Sequence, residues 1–506
     1  MNKDDHWEKQ LEQLPLGNGG FSVESMNKIK ERIRLDRSTS TRSTRMAIAA
    51  ASILLAAAVV WTVHRGMQPQ QLATEPTIDE TDVQLVVQYW DSQSFMSQIG
   101  QPYLFQHPNT EFKVVTPSQD SSPNNDLAAY KKWMDESRAD VLQIPLAYID
   151  DLAKDGSIVP LDDMLKRDRI DLDEMYQPMV ELMREAGGGK LYALVDQFSM
   201  DLLFYNKTLF QSHNIPLPEE GDTWNDILRL AERFAGMDEG GKPVYGLTFG
   251  WQSAPYGSIK KIGRSEGLSL VDSKGMPQVD SDSWKNVWSQ VTEGVKGGWI
   301  NSDPGPAAEN NVWTEQSILD SDTFINNRAA MSFQSFNSSW RFVSSAIDKG
   351  IFKGDWDVMP VSSNAAEPGV TSSFGSAIIY AINAKSPNKE QAMKLIEYIV
   401  SKERAEREYA SGFFPLHVNR ASSVKISNDQ LDRFYAVKLD AASIFEQSER
   451  LQLPGVNEMN AAMNAKWNEA VEAIIAGRST VEDTLAQLQE EAARAIESSR
   501  GNGDQH

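Results

Sequence analysis

The sequence predicts an α/β fold for most of the chain, preceded by one N-terminal transmembrane helix. Three observations carry that expectation. Short apolar runs of strand type alternate with helix-length segments from residue 83 onward. The chain from Lys389 on is patterned largely as helix. Residues 46–63 (MAIAAASILLAAAVVWTV) form an apolar run without a charge.

That run is about the shortest that lets a helix cross a ~30 Å hydrocarbon core at ~1.5 Å per residue. Lys28, Lys30, Arg32, Arg34, Arg37, Arg42 and Arg45 crowd its N-terminal side, whereas no Lys or Arg lies between Arg65 and Lys113. The positive-inside rule then places residues 1–45 as a basic cytosolic head, 46–63 as a membrane anchor and the body outside. A cleaved signal peptide is the alternative, disfavoured by the long head and by the poor cleavage triplet Gln71-Leu72-Ala73. Val23–Leu35 has the spacing of a short amphipathic helix. Residues 64–82, rich in Pro, Gln and acids without periodicity, form a linker.

The body begins at Val83. Runs at 83–90 (VQLVVQYW), 111–115 (EFKVV) and 139–144 (ADVLQI) are separated by helical segments near Phe95–Phe105 and Leu127–Ser137, the spacing of a parallel sheet with crossover helices. Further strands are expected at 191–205, Val244–Phe249, Ala330–Phe333, Trp356–Val361 and Ala377–Ile382. Within 191–205, Asp196, Gln197 and Asp201 interrupt an apolar stretch, although buried polar groups are costly unless hydrogen-bonded. Asn206-Lys207 should start the next turn and helix.

Composition excludes several functions. Without cysteine there are no disulfides, cysteine nucleophiles or thiolate metal sites. The net charge of −22 argues against a nucleic-acid partner, which needs a basic face. Gly187-Gly188-Gly189-Lys190 fails the phosphate-loop pattern, the six histidines form no HExxH pair, and no GxSxG elbow occurs. Neither a metal nor a cofactor is expected. Seventy-one acids leave a glycosidase carboxylate pair open, but so many acids also produce such pairs by chance.

Aromatic residues at strand ends are more informative. Tyr89-Trp90-Asp91, Trp251-Gln252, Trp340 and Phe374-Gly375 each follow a strand or occupy a turn. Ligands of open parallel sheets bind at the carboxyl ends of the strands. A ring beside an Asp or Gln suits a sugar, offering a stacking face and acceptors for hydroxyls. Each tryptophan alone is more simply explained by core packing. The set together favours a carbohydrate cleft.

Eight segments in order, ADVLQIP…LAKDGSIVPLDDML (139–165), GKLYAL…LLFYNKTLF (189–210), TWNDILRLAERF (223–234), NNRAAMSF…SSWRF (326–342), DWDVMPV (355–361), AINAKSPNKEQAMKLIEYIVSKE (381–403), ASGFFPLHV (410–418) and AIIAGRSTVEDTLAQLQ (473–489), resemble the bacterial extracellular solute-binding proteins of ABC importers, the maltose-binding-protein-like sugar branch. The resemblance implies a two-lobed periplasmic-binding-protein-like (type II) fold over 83–506. Lobe 1 would cover about 83–193 and 362–425, and lobe 2 about 203–358 and 426–500. Hinge strands would cross near Leu194–Leu202 and Met359–Ser362. It further implies ligand contacts at Trp90, Asp91, Pro145, Leu146, Trp340, Phe374 and Gly375 and within the first crossing, where Asp196 and Gln197 are the leading candidates and Ser199 and Asp201 stay open; the strand-end pattern adds Trp251.

Together with the anchor read from residues 46–63, the resemblance implies a membrane-anchored, monomeric solute receptor. It captures an oligosaccharide by closing its cleft, delivers it to ABC permease subunits and catalyses no reaction. A ligand sensor of the same fold, signalling through the cytosolic head, is the alternative. Two departures stand out: Val195 occupies a position where the family usually has proline, and a membrane helix replaces the usual lipoprotein cysteine or cleaved signal.

Overall fold

A computed structural model describes residues 82–118, 126–250, 254–302, 314–410, 416–419 and 429–503. The head, the apolar run 46–63, nearly all of the linker and Trp251 lie outside the described residues. Among the described residues no helix is long and apolar enough to cross a membrane. They belong to the second of the two units into which the chain divides, Ile78–His506.

Nine strands form the main sheet: β1 (Val83–Gln88), β2 (Thr110–Val115), β3 (Val141–Gln143), β4 (Ala193–Asn206), β5 (Tyr245–Thr248), β6 (Ala329–Ser335), β7 (Trp356–Met359), β8 (Phe374–Ile382) and β9 (Leu416–His417). Their order is β2-β1-β3-β8-β4-β6-β5, with β9 and β7 also pairing with β4. The expectation of a parallel sheet holds for β2-β1-β3 and for β5-β6. The central pairs β3-β8, β8-β4 and β4-β6 are antiparallel. The reason is connectivity: β4 carries the chain out of one lobe into the other, and β8 brings it back alongside.

β4 is therefore one strand in two sheets. Its first half pairs with β8 and β9 in lobe 1, and its second half with β6 and β7 in lobe 2. Asn206 ends it, its side chain accepting the Leu209 N–H at 3.1 Å to cap helix Lys207–Ser212.

The helices that position the site are α1 (Leu127–Ser137), α2 (Trp224–Glu232), α3 (Pro255–Ser265), α4 (Phe336–Asp348), α5 (Lys402–Ala410), α6 (Asp429–Ala436), α7 (Ala441–Leu451), α8 (Val456–Ile475) and α9 (Val481–Gly503). α2 shows why such segments fold locally. Thr223 and Asp226 make a capping box, and Trp224, Ile227, Leu228 and Ala231 give an i, i+3, i+4, i+7 stripe that is buried.

Two apolar cores result. One fills lobe 1 and continues over one face of the lobe 2 sheet; the other lies on the opposite face of that sheet, under α2, α3, α8 and α9. Rings join the lobes within the first core. Phe198 lies 5.6 Å from Phe434 on α6, Phe434 lies 4.7 Å from Phe336 on α4, and Phe336 lies 6.0 Å from Phe204. Ring pairs at these separations add roughly 0.5–1.5 kcal/mol each beyond area burial. The chain passes back between lobes once more where α7, anchored by Ile444 in the first core, gives way to α8, anchored by Val456 in the second.

Gly246 in β5 shows how closely lobe 2 is packed. A Cβ there would lie 2.0 Å from the Ala231 carbonyl oxygen at the end of α2. Gly246→Ala is expected to destabilise the protein by about 1–3 kcal/mol or more, the usual range for overpacking. Urea unfolding should show a lowered midpoint with an unchanged slope.

Candidate functional site

The parallel strands of the two lobes direct their carboxyl ends toward the middle of β4. From lobe 1 come Trp90 and Asp91 after β1, and Pro145 after β3. From lobe 2 come Gly250 after β5 and Ser335 at the end of β6, paired with Asp201 of β4. This is the edge at which open α/β sheets bind ligands.

The middle of β4 and β8 is open where a central strand would ordinarily be covered. Ser199 is half-buried, and Gly375 and Ser376 are exposed. Ser199 Oγ accepts the Ser376 N–H at 3.0 Å and lies 3.0 Å from the Ser376 hydroxyl. Glycine at 375 lets the strands meet here, because a Cβ would lie 2.4 Å from Ser199 Oγ and displace that hydroxyl. Register shifts between Phe374 and Ser376 and between Ala377 and Ile379 mark bulges, and the second inserts the extra residue in β4 between Val195 and Phe198. Asp196 and Gln197, the polar pair of the apolar run, occupy that bulge.

Asp196 was expected to face ligand or water, but its carboxylate is 1% exposed and bound to Arg404 of α5, which is equally buried. Arg404 also pairs with Glu408 at 2.7 Å. His417 of β9 joins both acids, Nδ1 at 3.3 Å from Asp196 and Nε2 at 3.0 Å from Glu408. Two acids, a guanidinium and an imidazole thus meet beneath the β4 bulge. Gln197 is half-buried and donates from Nε2 to Glu408 at 3.1 Å, linking this network to the cleft surface. Burial works against a charged His417, but the hydrogen bonds to Asp196 and Glu408 outweigh it and raise its pKa above the ordinary value of 6.5.

The other expected contacts divide by exposure. The Trp90 ring is 48% exposed and sits 3.6 Å from the Tyr89 ring, centroid to centroid, with 30° between planes. Asp91 is exposed but caps the helical turn Ser92–Phe95, accepting the Ser94 N–H at 2.7 Å. Hydrogen bonds from Ser94 hold its carboxyl below the usual range. Pro145 and Phe374 are half-buried. Leu146 and Trp340 do not line an open surface: Leu146 starts the buried turn Leu146–Tyr148, and Trp340 is packed on α4 near Phe336. Both belong to the first core, whose apolar surface they complete.

Two parts of the interlobe surface went unnoticed in the sequence. One is a groove of about 750 Å³ lined by Asp126 and Tyr148 of lobe 1, by Gln452, and by Asn457 and Arg500 of lobe 2; the Tyr148 hydroxyl lies 3.2 Å from Gln452 Oε1. The other is Lys261 and Arg264 on α3, gathered around Asp201. Neither has a sequence signature, because both join side chains far apart in the chain.

The model of the bacterial extracellular solute-binding protein family matches residues 98–431, and the chain belongs to that family. Among solved structures it is similar to the sugar-binding protein MalE from the phytopathogen Xanthomonas citri, with 15% identity over 84% of this chain and 100% of that one and a TM-score of 0.54. A sugar transporter from Rhizobium etli in an open conformation shares 20% identity over 81% of this chain and 99% of its own, with a TM-score of 0.52. An ABC transporter solute-binding protein from Agrobacterium radiobacter K84 in complex with ribitol shares 18% over 82% and 99%, with a TM-score of 0.51. These likenesses establish the two-lobed α/β periplasmic-binding-protein-like fold.

The buried network makes two measurable demands. Asp196→Asn leaves Arg404 buried without its strongest partner and should cost about 3–5 kcal/mol in chemical denaturation. Protonated His417 contributes stability that is complete below the unfolded value near 6.5 and is lost as pH rises through the higher folded value. The stability gap between the natural protein and His417→Gln should therefore be widest below the ordinary histidine value of 6.5 and narrow as pH rises above it, as urea midpoints across a pH series will test.

Proposed function

We propose that this protein is the solute receptor of an ABC importer, capturing a carbohydrate in its interlobe cleft by hinge closure and catalysing no reaction. Family membership supplies the premise. The observation that carries the sugar reading is the open polar stretch Ser199–Gly375–Ser376 in the middle of a nine-stranded sheet, at the edge where the exposed Trp90 ring stands. Hydroxyl and backbone groups there meet sugar hydroxyls, and an indole face meets the apolar face of a pyranose. The names of similar structures, which include a sugar-binding protein and complexes with ribitol and D-mannitol, support polyhydroxylated ligands.

In this reading Trp90, Asp91, Pro145, Gln197, Phe374 and Gly375 contact the ligand directly, together with Trp251. Asp196, Leu146 and Trp340 shape the cleft from behind. Residues 46–63 anchor the chain with its head in the cytosol and its body outside, so that a monomeric receptor stays beside its permease. Ligand drives closure only through higher affinity for the closed state.

A thermal-shift screen against a carbohydrate and amino-acid panel tests the reading. Sugars should raise the unfolding temperature; a shift by amino acids alone would overturn it. In calorimetry Trp90→Ala should weaken sugar binding tenfold or more, with unfolding of the free protein nearly unchanged because the ring is already half exposed.

A further inference from the structure

We infer that the cleft selects a carbohydrate bearing a carboxylate, an oligosaccharide containing uronic acid, with Lys261 and Arg264 receiving the acid. This deepens the carbohydrate reading and rests on it.

The position of the two cations follows from β4. Ser199, Asp201, Leu203 and Tyr205 alternate with Phe198, Met200, Leu202 and Phe204, which face the first core. Ser199 and Asp201 thus share a face, two residues or roughly 6.6 Å apart at a rise of ~3.3 Å. The first is part of the open polar surface, and the second lies under Lys261 and Arg264. The cations therefore stand one step along the strand from the surface where Ser199 and Ser376 meet. α3 also follows the carboxyl end of β5, on the ligand-binding edge of lobe 2.

The charge at this point is not balanced. Among the described residues, Asp201 is the only acid paired with either side chain, at 2.7 Å from Arg264 and 3.8 Å from Lys261. One carboxylate faces two cations, and exposed Lys260 adds a third positive charge on the same helix. Arg264 is well satisfied by its pairing, but Lys261 is not. Among the described residues its nearest acceptors are Asp201 at 3.8 Å and the Phe333 carbonyl at 3.5 Å, beyond the ordinary range for an ammonium. Burial, with Arg264 adding to it and Asp201 opposing, holds the pKa of Lys261 below its ordinary value. A group so placed gains from an added anion.

Packing alone explains these side chains less well. A residue needed only to neutralise Asp201 is already supplied by Arg264, and a half-buried lysine gives its ammonium up to water more readily at the surface. The net charge of −22 does not oppose a local anion site strongly, because charges beyond ~8–10 Å are screened at physiological ionic strength.

The test uses the full-length protein and matched trisaccharides: uronate trimers with a single terminal uronate (galacturonate, glucuronate or mannuronate) on two neutral residues, against their neutral carboxyl-reduced forms. In titration calorimetry at least one uronate trimer should bind tenfold or more tightly than its neutral form, with an advantage that shrinks as salt is raised. Lys261→Gln should remove most of that advantage, Lys261→Arg should keep it, and neither should shift the unfolding temperature of the free protein appreciably. If neutral trimers bind as tightly as the acids, or the advantage survives in Lys261→Gln, the inference falls while the carbohydrate reading stands. If no trimer and no sugar of the thermal-shift panel binds, both fall.

Discussion

The sharing of β4 between two sheets is the constraint on which the rest of the molecule depends. A strand with partners on both sides in lobe 1 and again in lobe 2 has its register fixed at both ends. Its middle is the least constrained part, because bulges interrupt the ladder with β8 there. The two faces of that middle are unequal. Phe198, Phe434, Phe336 and Phe204 continue one apolar core across the junction, so that face stays closed. The other face exposes Ser199 against Gly375 and Ser376. The closure proposed above would then be a rotation about the ring-packed side, with the polar side as the mouth.

The buried ion network beneath this hinge is best understood as a device of position. Taking a carboxylate and a guanidinium out of water costs several kcal/mol each, and a compensated buried pair often returns little net stability. What Asp196, Arg404, Glu408 and His417 gain is directionality. Each fixes the others, and the network ties the β4 bulge to α5 and β9, both elements of lobe 1. Gln197 carries that rigidity to the cleft, since its side chain is held by Glu408 rather than free to turn.

Much of this was legible in the sequence because it depends on local pattern. The strand runs, the helix start at Asn206-Lys207 and the order of the family segments need only near neighbours in the chain. The crossing near Leu194–Leu202 was implied by the family resemblance, and the interruption of the apolar run by Asp196 and Gln197 falls within it. The meaning of that interruption was not legible: the partner that buries Asp196 is Arg404, more than two hundred residues away, and no local signal distinguishes an acid facing water from one facing a buried guanidinium. Trp340 and Leu146 illustrate the same gap. A residue just past a strand end lies at the right edge of the sheet, but whether it turns toward ligand or core is decided by long-range packing. The Lys261–Arg264–Asp201 cluster had still less signature, being a lysine and an arginine on an ordinary amphipathic helix.

The electrostatics of the interlobe surface give the proposed ligand a direction. Lys261 and Arg264 lie beside the midpoint of β4, whereas the groove at the recrossing between α7 and α8 is bordered by Asp126, Asp151, Glu449 and Glu458 around Arg500. Burial first, and then Asp150 and Asp151 nearby, raise the pKa of Glu449, the mark of crowded acids. A ligand of uniform charge gains at one of these ends what it loses at the other. A neutral oligosaccharide feels neither strongly and is held by hydroxyl contacts and the Trp90 face. A chain with a carboxylate on one residue and only hydroxyls on the rest fits both: its acid goes to the cations, and its neutral end donates hydroxyls to the acidic groove. Selectivity between such ligands rests on leaving a wrong acid unpaired among like charges, a penalty that neutral contacts alone do not supply.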